Sequence, residues 1–189
     1  AQNTITTILH GTDHFMWIAT AEGLHRYDGY EFKIFKHESE DSTSLADDYI
    51  TTITESEDGK IWVGMYSGAL DVFDKRTHKF EHIKLWDSTG SINRYTITVI
   101  KEVKENEFII GLDGGGIIHF NNNDQTQLNL REENSDLPNN YINCVAREKA
   151  GDGWWIGTQQ GIILYKDVTK DFRKFRSLKL FANQNVTGI

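Results

Sequence analysis

His10 and His14 stand four residues apart, and so do His78 and His82. On a helix that spacing turns two imidazoles onto one face, where they can share a metal ion. Both pairs instead fall beside short β-rich runs and turns, where residues i and i+4 need not converge. Solvated turn histidines are the plainer reading, and no metal site is expected. Asn121-Asn122-Asn123-Asp124, with Glu132 at the twelfth position, has the outline of a calcium loop. Thr126 stands where that loop needs glycine and three acidic ligands are amides, so a polar hairpin is expected there. The carboxylates of Asp47-Asp48, of Glu132-Glu133 and of the run from Glu38 to Asp41 lie in polar stretches. A glycosidase needs two carboxylates about 5–10 Å apart across a cleft, and nothing singles out a pair. The single cysteine, Cys144, sits in the apolar run Tyr141-Ile142-Asn143-Cys144-Val145 and reads as a small core residue. No GxSxG, HExxH or phosphate-loop pattern occurs. Neither catalysis nor a cofactor is expected of this chain.

The elements that carry these residues are β-rich. Of the 189 residues 38% are hydrophobic and 12% aromatic, with five tryptophans and one proline; this favours sheets over helices and argues against disorder. The net charge of −8 disfavours nucleic acid, whose binding needs a basic surface to displace counterions. No apolar stretch reaches the roughly 18 residues of a membrane-spanning helix, and no signal-peptide pattern opens the chain. Asn185-Val186-Thr187 is a glycosylation sequon, relevant only in a eukaryote.

An internal repeat organises the chain. Met16-Trp17-Ile18-Ala19-Thr20, Ile61-Trp62-Val63-Gly64-Met65, Phe108-Ile109-Ile110-Gly111-Leu112 and Trp154-Trp155-Ile156-Gly157-Thr158 align, with anchors Trp17, Trp62, Ile109 and Trp155 spaced 45, 47 and 46 apart. Ile5-Thr6-Thr7-Ile8, Ile50-Thr51-Thr52-Ile53, Ile97-Thr98-Val99-Ile100 and Ile142-Asn143-Cys144-Val145 precede them. A third run follows each anchor: Gly23 to Tyr27, Ala69 to Phe73, Gly116 to Phe120 and Gly161 to Tyr165. An apolar pair closes each copy: Phe32 with Phe35, Phe80 with Ile83, Leu128 with Leu130, and Phe172 with Phe175. Four short strands per repeat, separated by Gly, Asp and Asn turns, make an antiparallel sheet, and a period near 45 is the signature of an all-β propeller. Gly23, Gly68, Gly115 or Gly116, and Gly161 supply the positive φ of a tight turn. The anchors are expected buried between neighbouring sheets, with Trp154 at a blade edge and Trp86 free to serve an interface. The blades are expected over 1–36, 46–84, 94–131 and 138–176. Asn185-Val186-Thr187-Gly188-Ile189 repeats the first strand, so a fifth blade is expected to begin at 183–189, within a larger, seven-bladed ring.

Asp58-Gly59-Lys60-Ile61-Trp62-Val63-Gly64 and Trp155-Ile156-Gly157-Thr158-Gln159-Gln160-Gly161-Ile162 resemble the two-component regulator propeller repeat. Met16 to Tyr30, with Phe32 and Phe35 following, is similar to the opening blade of hybrid two-component sensors of polysaccharide-degrading gut bacteria. Ala19, where glycine is usual, and Ile109, where tryptophan is usual, depart from that pattern. The resemblance implies a periplasmic sensor propeller joined to further blades and, beyond a membrane helix, to a histidine kinase in a homodimeric parent. It implies detection of glycan-derived oligosaccharides and signalling to transcription. A protein-interaction scaffold and a propeller lyase or glycosidase are the alternatives.

In such a fold the loops before each innermost strand and between the second and third strands share one face, around the axis, where small ligands bind. Tyr66, Arg94, Tyr95, Asp113 and Gln159 are the candidate ligand residues there. They combine aromatic faces for sugar C–H groups with planar polar groups for hydroxyls. Tyr49, Tyr95 and Tyr141 read as one tyrosine repeated ahead of three innermost strands, and blade packing is the competing role for such residues.

Overall fold

The computed structural model describes residues 4–87, 89–149, 151–166 and 184–188. Its strands form four antiparallel sheets in chain order, the blades of a β-propeller. The first is β1 (Ile5–His10), β2 (Met16–Thr20), β3 (Gly23–Tyr27) and β4 (Phe32–Phe35). The second is β5 (Ile50–Glu55), β6 (Ile61–Met65), β7 (Leu70–Asp74) and β8 (Lys79–Ile83). The third is β9 (Ile97–Lys104), β10 (Glu107–Leu112), β11 (Gly116–Asn121) and β12 (Thr126–Leu130). The fourth comprises β13 (Ile142–Arg147), β14 (Gly153–Thr158) and β15 (Gly161–Lys166). Phe172 and Phe175, expected in its last strand, lie outside the described residues, as does Ile189. Each blade's first strand packs against the first strand of the next.

Strand periodicity decides which interface each side chain enters. Along β6, Ile61, Val63 and Met65 join the core with blade 1, while Trp62 joins the core with blade 3. Both faces of β6 are covered, so all five residues are buried. Trp17 (1% exposed) and Trp62 (2%) point at the following blade, and Ile109 does the same. Trp155, aligned with them, is only partly buried: its face is the one that blades 1–3 turn to the next blade, and among the described residues only 184–188 lie there. Its neighbour Trp154, expected at an edge, points the other way and is buried in the core between blades 3 and 4.

The glycine two residues after the anchor in blades 2, 3 and 4 has a packing cause. A Cβ on Gly64 would stand 2.5 Å from Ile97 Cγ2, and one on Gly111 would stand 2.6 Å from Ile142 Cγ2. The innermost strand of the next blade fills the space of the missing side chain. Val186 approaches Gly157 in the same way, which puts 184–188 where the first strand of another blade runs. Of the two candidates for the third turn glycine, Gly116 is the one aligned with Gly23 and Gly161 at the start of its strand, with φ 77°. Ile109, the smaller anchor, is accompanied by a polar fill: His119 lies beside it on β11, Tyr165 OH meets His119 Nδ1 at 3.2 Å, and Glu107 Oε2 lies 3.4 Å from His119 Nε2.

Every innermost strand carries a bulge at its second residue, which has no partner in the register with the second strand: Thr6, Thr51, Thr98 and Asn143. A bulge re-aims the side chain it frees. Here Thr6 donates to Ile50 O (2.9 Å), Thr51 to Ile97 O (2.5 Å), Thr98 to Ile142 O (2.6 Å) and Asn143 Nδ2 to Val186 O (2.9 Å). Each blade thereby holds the backbone of the next.

At the opposite end from the candidate ligand face, Lys75 bonds Glu55 and lies 3.3 Å from Asp13 Oδ2, and Thr12 donates to Glu55. Burial alone would raise the Glu55 carboxyl, but the bonds from Lys75 and Thr12 outweigh it and leave it below its ordinary value of 4.5. A depressed carboxyl contributes stability that is present above the unfolded value and lost as pH falls through the folded one. Glu55→Gln is therefore expected to unfold more readily than the parent near neutrality. The difference should close as denaturant titrations move down through and below pH 4.5; a constant gap would remove the ion pair from the account of stability.

Candidate functional site

The candidate face is tied together by backbone bonds between loops. Tyr66 N donates to Tyr49 O, Asp113 N to Thr96 O and Gln159 N to Tyr141 O, and Thr96 Oγ1 reaches Tyr66 O at 2.8 Å. Asp113 also forms an isolated bridge with Tyr141. These bonds run from blade 2 to blade 4 along the inner rim, so Tyr66, Asp113 and Gln159 lie on one continuous band.

They also fix a register that differs from the expected one. Tyr49, Thr96 and Tyr141 hold equivalent places, and Tyr95 sits one residue earlier, in the place of Asp48 and Asn140. Tyr95 turns inward. A Cβ on Gly115 would stand 2.8 Å from its ring, and the Arg131 guanidinium lies 5.7 Å from its centroid. Tyr95 is thus a packing residue with one edge at the surface. Burial alone would lower the Arg131 pKa, but bonds to Glu133 and Tyr95 raise it.

The exposed aromatic surface comes from Tyr66, a candidate, and from two tyrosines outside the candidate list. Tyr49 (40% exposed) and Tyr66 (59%) stack at 5.0 Å with an interplanar angle of 13°. Tyr141 is also exposed and lies over Gly114, where a Cβ would stand 3.3 Å from its ring. A tyrosine ahead of the innermost strand is the sequence signal for such rings; it holds at Tyr49 and Tyr141, while Tyr95 stands one residue out of register. Asp113 and Gln159 are exposed between and beside these rings.

Arg94 and Tyr95 line a concavity of about 630 Å³ together with Asp87, Ser91 and Ile92. The backbone of Arg94 passes against Gly68, in the same turn as Tyr66, so the concavity adjoins the stacked pair. Asp87 is bound by Thr89 Oγ1 (2.6 Å), Thr89 N and Ser91 N, which hold its carboxyl below the ordinary value. The side chains of Arg94 and Asp113 have no hydrogen-bond or ion-pair partner among the described residues. Trp86 is partly exposed in the same loop, bridged to Ile92, and its amide is held by Gln127 Oε1.

The residues weighed for other chemistry go elsewhere. The His10 and His14 rings are 6.3 Å apart, His78 stacks on Phe73, and His82 bonds Asp71. No group of three His, Cys, Asp or Glu side chains converges among the described residues. Asn121 and Asp124 accept bonds from Asn123 N and Thr126 N within their own hairpin. Burial raises the Cys144 thiol, opposite to what a nucleophile needs.

Residues 44–67 match the family model described as two component regulator propeller. No curated protein has a significantly similar sequence. Among solved structures, the extracellular domain of the putative hybrid two component system BT4673 from B. thetaiotaomicron is similar at a TM-score of 0.78 and 20% identity, over 98% of this chain and 26% of that one. The corresponding domain of BT3049 from the same organism gives 0.67 and 20%, over 93% and 30%. PorZ, a surface component of the type-IX secretion system of Porphyromonas gingivalis, gives 0.67 and 14%, over 100% and 24%. The chain spans less than a third of each of these structures, and at these identities the likeness is one of fold.

Proposed function

We propose that this chain is part of a non-catalytic extracytoplasmic sensor propeller of the hybrid two-component type, which captures oligosaccharides on its inner rim. The observation that carries the reading is the exposed Tyr49–Tyr66 stack beside the unpaired carboxylate of Asp113. A flat apolar ring receives the C–H face of a pyranose, and a free carboxylate accepts its hydroxyls; two parallel tyrosines held by backbone bonds offer that ring at little entropic cost. The propeller repeat at 44–67 and the likeness to extracellular sensor domains support the sensing role. The parent would be a periplasm-facing homodimeric histidine kinase whose further blades complete a larger ring. Its output would be transcription.

Titration calorimetry against a glycan panel tests the reading. Tyr66→Ala is expected to weaken any bound oligosaccharide by about tenfold or more, equivalent to roughly 1.4 kcal/mol, with the fold intact. Tyr95→Phe, which keeps the packing, should change affinity little. Binding untouched by Tyr66→Ala would move the site off this rim.

A further inference from the structure

The rim carries more carboxylates than cations. Asp113 stands unpaired between the stacked tyrosines and Tyr141. Asp47 and Asp48 precede Tyr49, their carboxylates accepting from the Tyr49 and His37 amides, and Asp87 lines the adjoining concavity, where Arg94 is the unpaired cation. Arg131, the next guanidinium, is engaged by Glu133. The whole chain adds a net charge of −8. A carboxylate or sulfate brought here meets more anions than cations. A hydroxyl meets acceptors at Asp113 and donors at Arg94 and Gln159.

We infer that the ligand is a neutral, hydroxyl-rich oligosaccharide, and that Asp113 is the specificity-determining residue, accepting its hydroxyls and turning away uronic-acid and sulfated chains. This rests on the sugar-sensing reading. Asp113 suits the role because its backbone is pinned by Thr96 and Tyr141 while its carboxylate is free. A neighbouring charge at contact distance in water changes affinity by about fivefold, and salt weakens the effect.

The test uses calorimetry on the intact chain with three sets of probes. One is neutral (xylo-, manno- and fructo-oligosaccharides), one carries carboxylates (oligogalacturonides), and one carries sulfates (chondroitin sulfate oligosaccharides). At low salt the best neutral probe should bind at least about fivefold more tightly than either acidic set, and the gap should narrow as salt is raised. Asp113→Asn, checked for an unchanged melting temperature, should weaken the neutral probe and lift the acidic ones, whereas Tyr66→Ala should weaken all. An acidic probe bound as tightly as the best neutral one overturns the selectivity while leaving sugar sensing in place. An unchanged neutral-to-acidic ratio in Asp113→Asn overturns the role of that residue. Absence of binding by every set removes the sugar reading, and this inference with it.

Discussion

Trp62→Ala is expected to lower the unfolding free energy by about 3–5 kcal/mol, a large share of the roughly 5–15 kcal/mol available to a domain. Trp62 lies in the core between blades 2 and 3, its ring centroid 3.8 Å from that of Phe108 and 6.0 Å from that of Phe120. Those rings stand on rigid strands held from both sides, so the vacated volume cannot collapse. Trp155→Ala is the matched control. It removes the same side chain from the aligned position, but from a half-buried place, and should cost much less. Thermal or urea unfolding of both variants decides the point. Equal losses would mean that the interface, and not the residue's place in the repeat, has been misjudged.

Asp71→Ala should cost about 3 kcal/mol. Asp71 is fully buried and binds His82 Nδ1 at 2.7 Å and Ala46 N at 2.8 Å, joining β7 to β8 and to the 36–49 loop. Its removal strands the Ala46 amide and frees the loop that carries Tyr49. Burial raises the Asp71 carboxyl above its ordinary 3.8, against the opposing bonds from His82 and Ala46. A raised folded-state pKa contributes stability that is fullest below the unfolded value and declines as pH rises through the folded one. Asp71→Asn, which cannot titrate, should lose that decline. A parent and an Asp71→Asn variant whose unfolding free energies run parallel from pH 3 to pH 7, about the span of the ordinary carboxyl and histidine values, would show that the carboxyl binds protons alike in the folded and unfolded chain and is not raised by burial. Blades 3 and 4 place Ile118 and Ile163 at this position, so the carboxylate is particular to blade 2.

The blades were legible because their signal is local. Four short apolar runs and their turn glycines recur within each 45-residue stretch, and strand geometry follows from alternation alone. The rim was harder to read because loops do not preserve spacing. The 36–49 and 84–96 connections differ in course, so a tyrosine one residue out of register looks the same in the sequence as one in register. Tyr95 reads as one of the set for that reason, whereas the exposed rings are those of Tyr49, Tyr66 and Tyr141. The bulges at Thr6, Thr51, Thr98 and Asn143 leave no mark beyond a polar residue in an apolar run. Whether Trp154 or Trp155 is covered depends on which neighbour each faces, a question about the next blade and not about the tryptophans.

The three described interfaces are filled by different sets of side chains. Between blades 1 and 2 stand Ala19, Trp17 and Phe73; between blades 2 and 3, Gly64, Ile97 and the Trp62–Phe108 pair; between blades 3 and 4, Ile109 with His119 and Tyr165. Arrays of near-identical units fold at the risk of pairing a unit with the wrong neighbour, within a chain or between chains. Here a mispaired blade would meet the wrong partner: blade 1 set against blade 3 would offer Ala19 Cβ to a surface shaped by Gly64, and Tyr165 beside a tryptophan would lose the imidazole its hydroxyl reaches. The irregularities of the repeat thus act as addresses, and the order of the blades around the axis is written in the places where the pattern is broken.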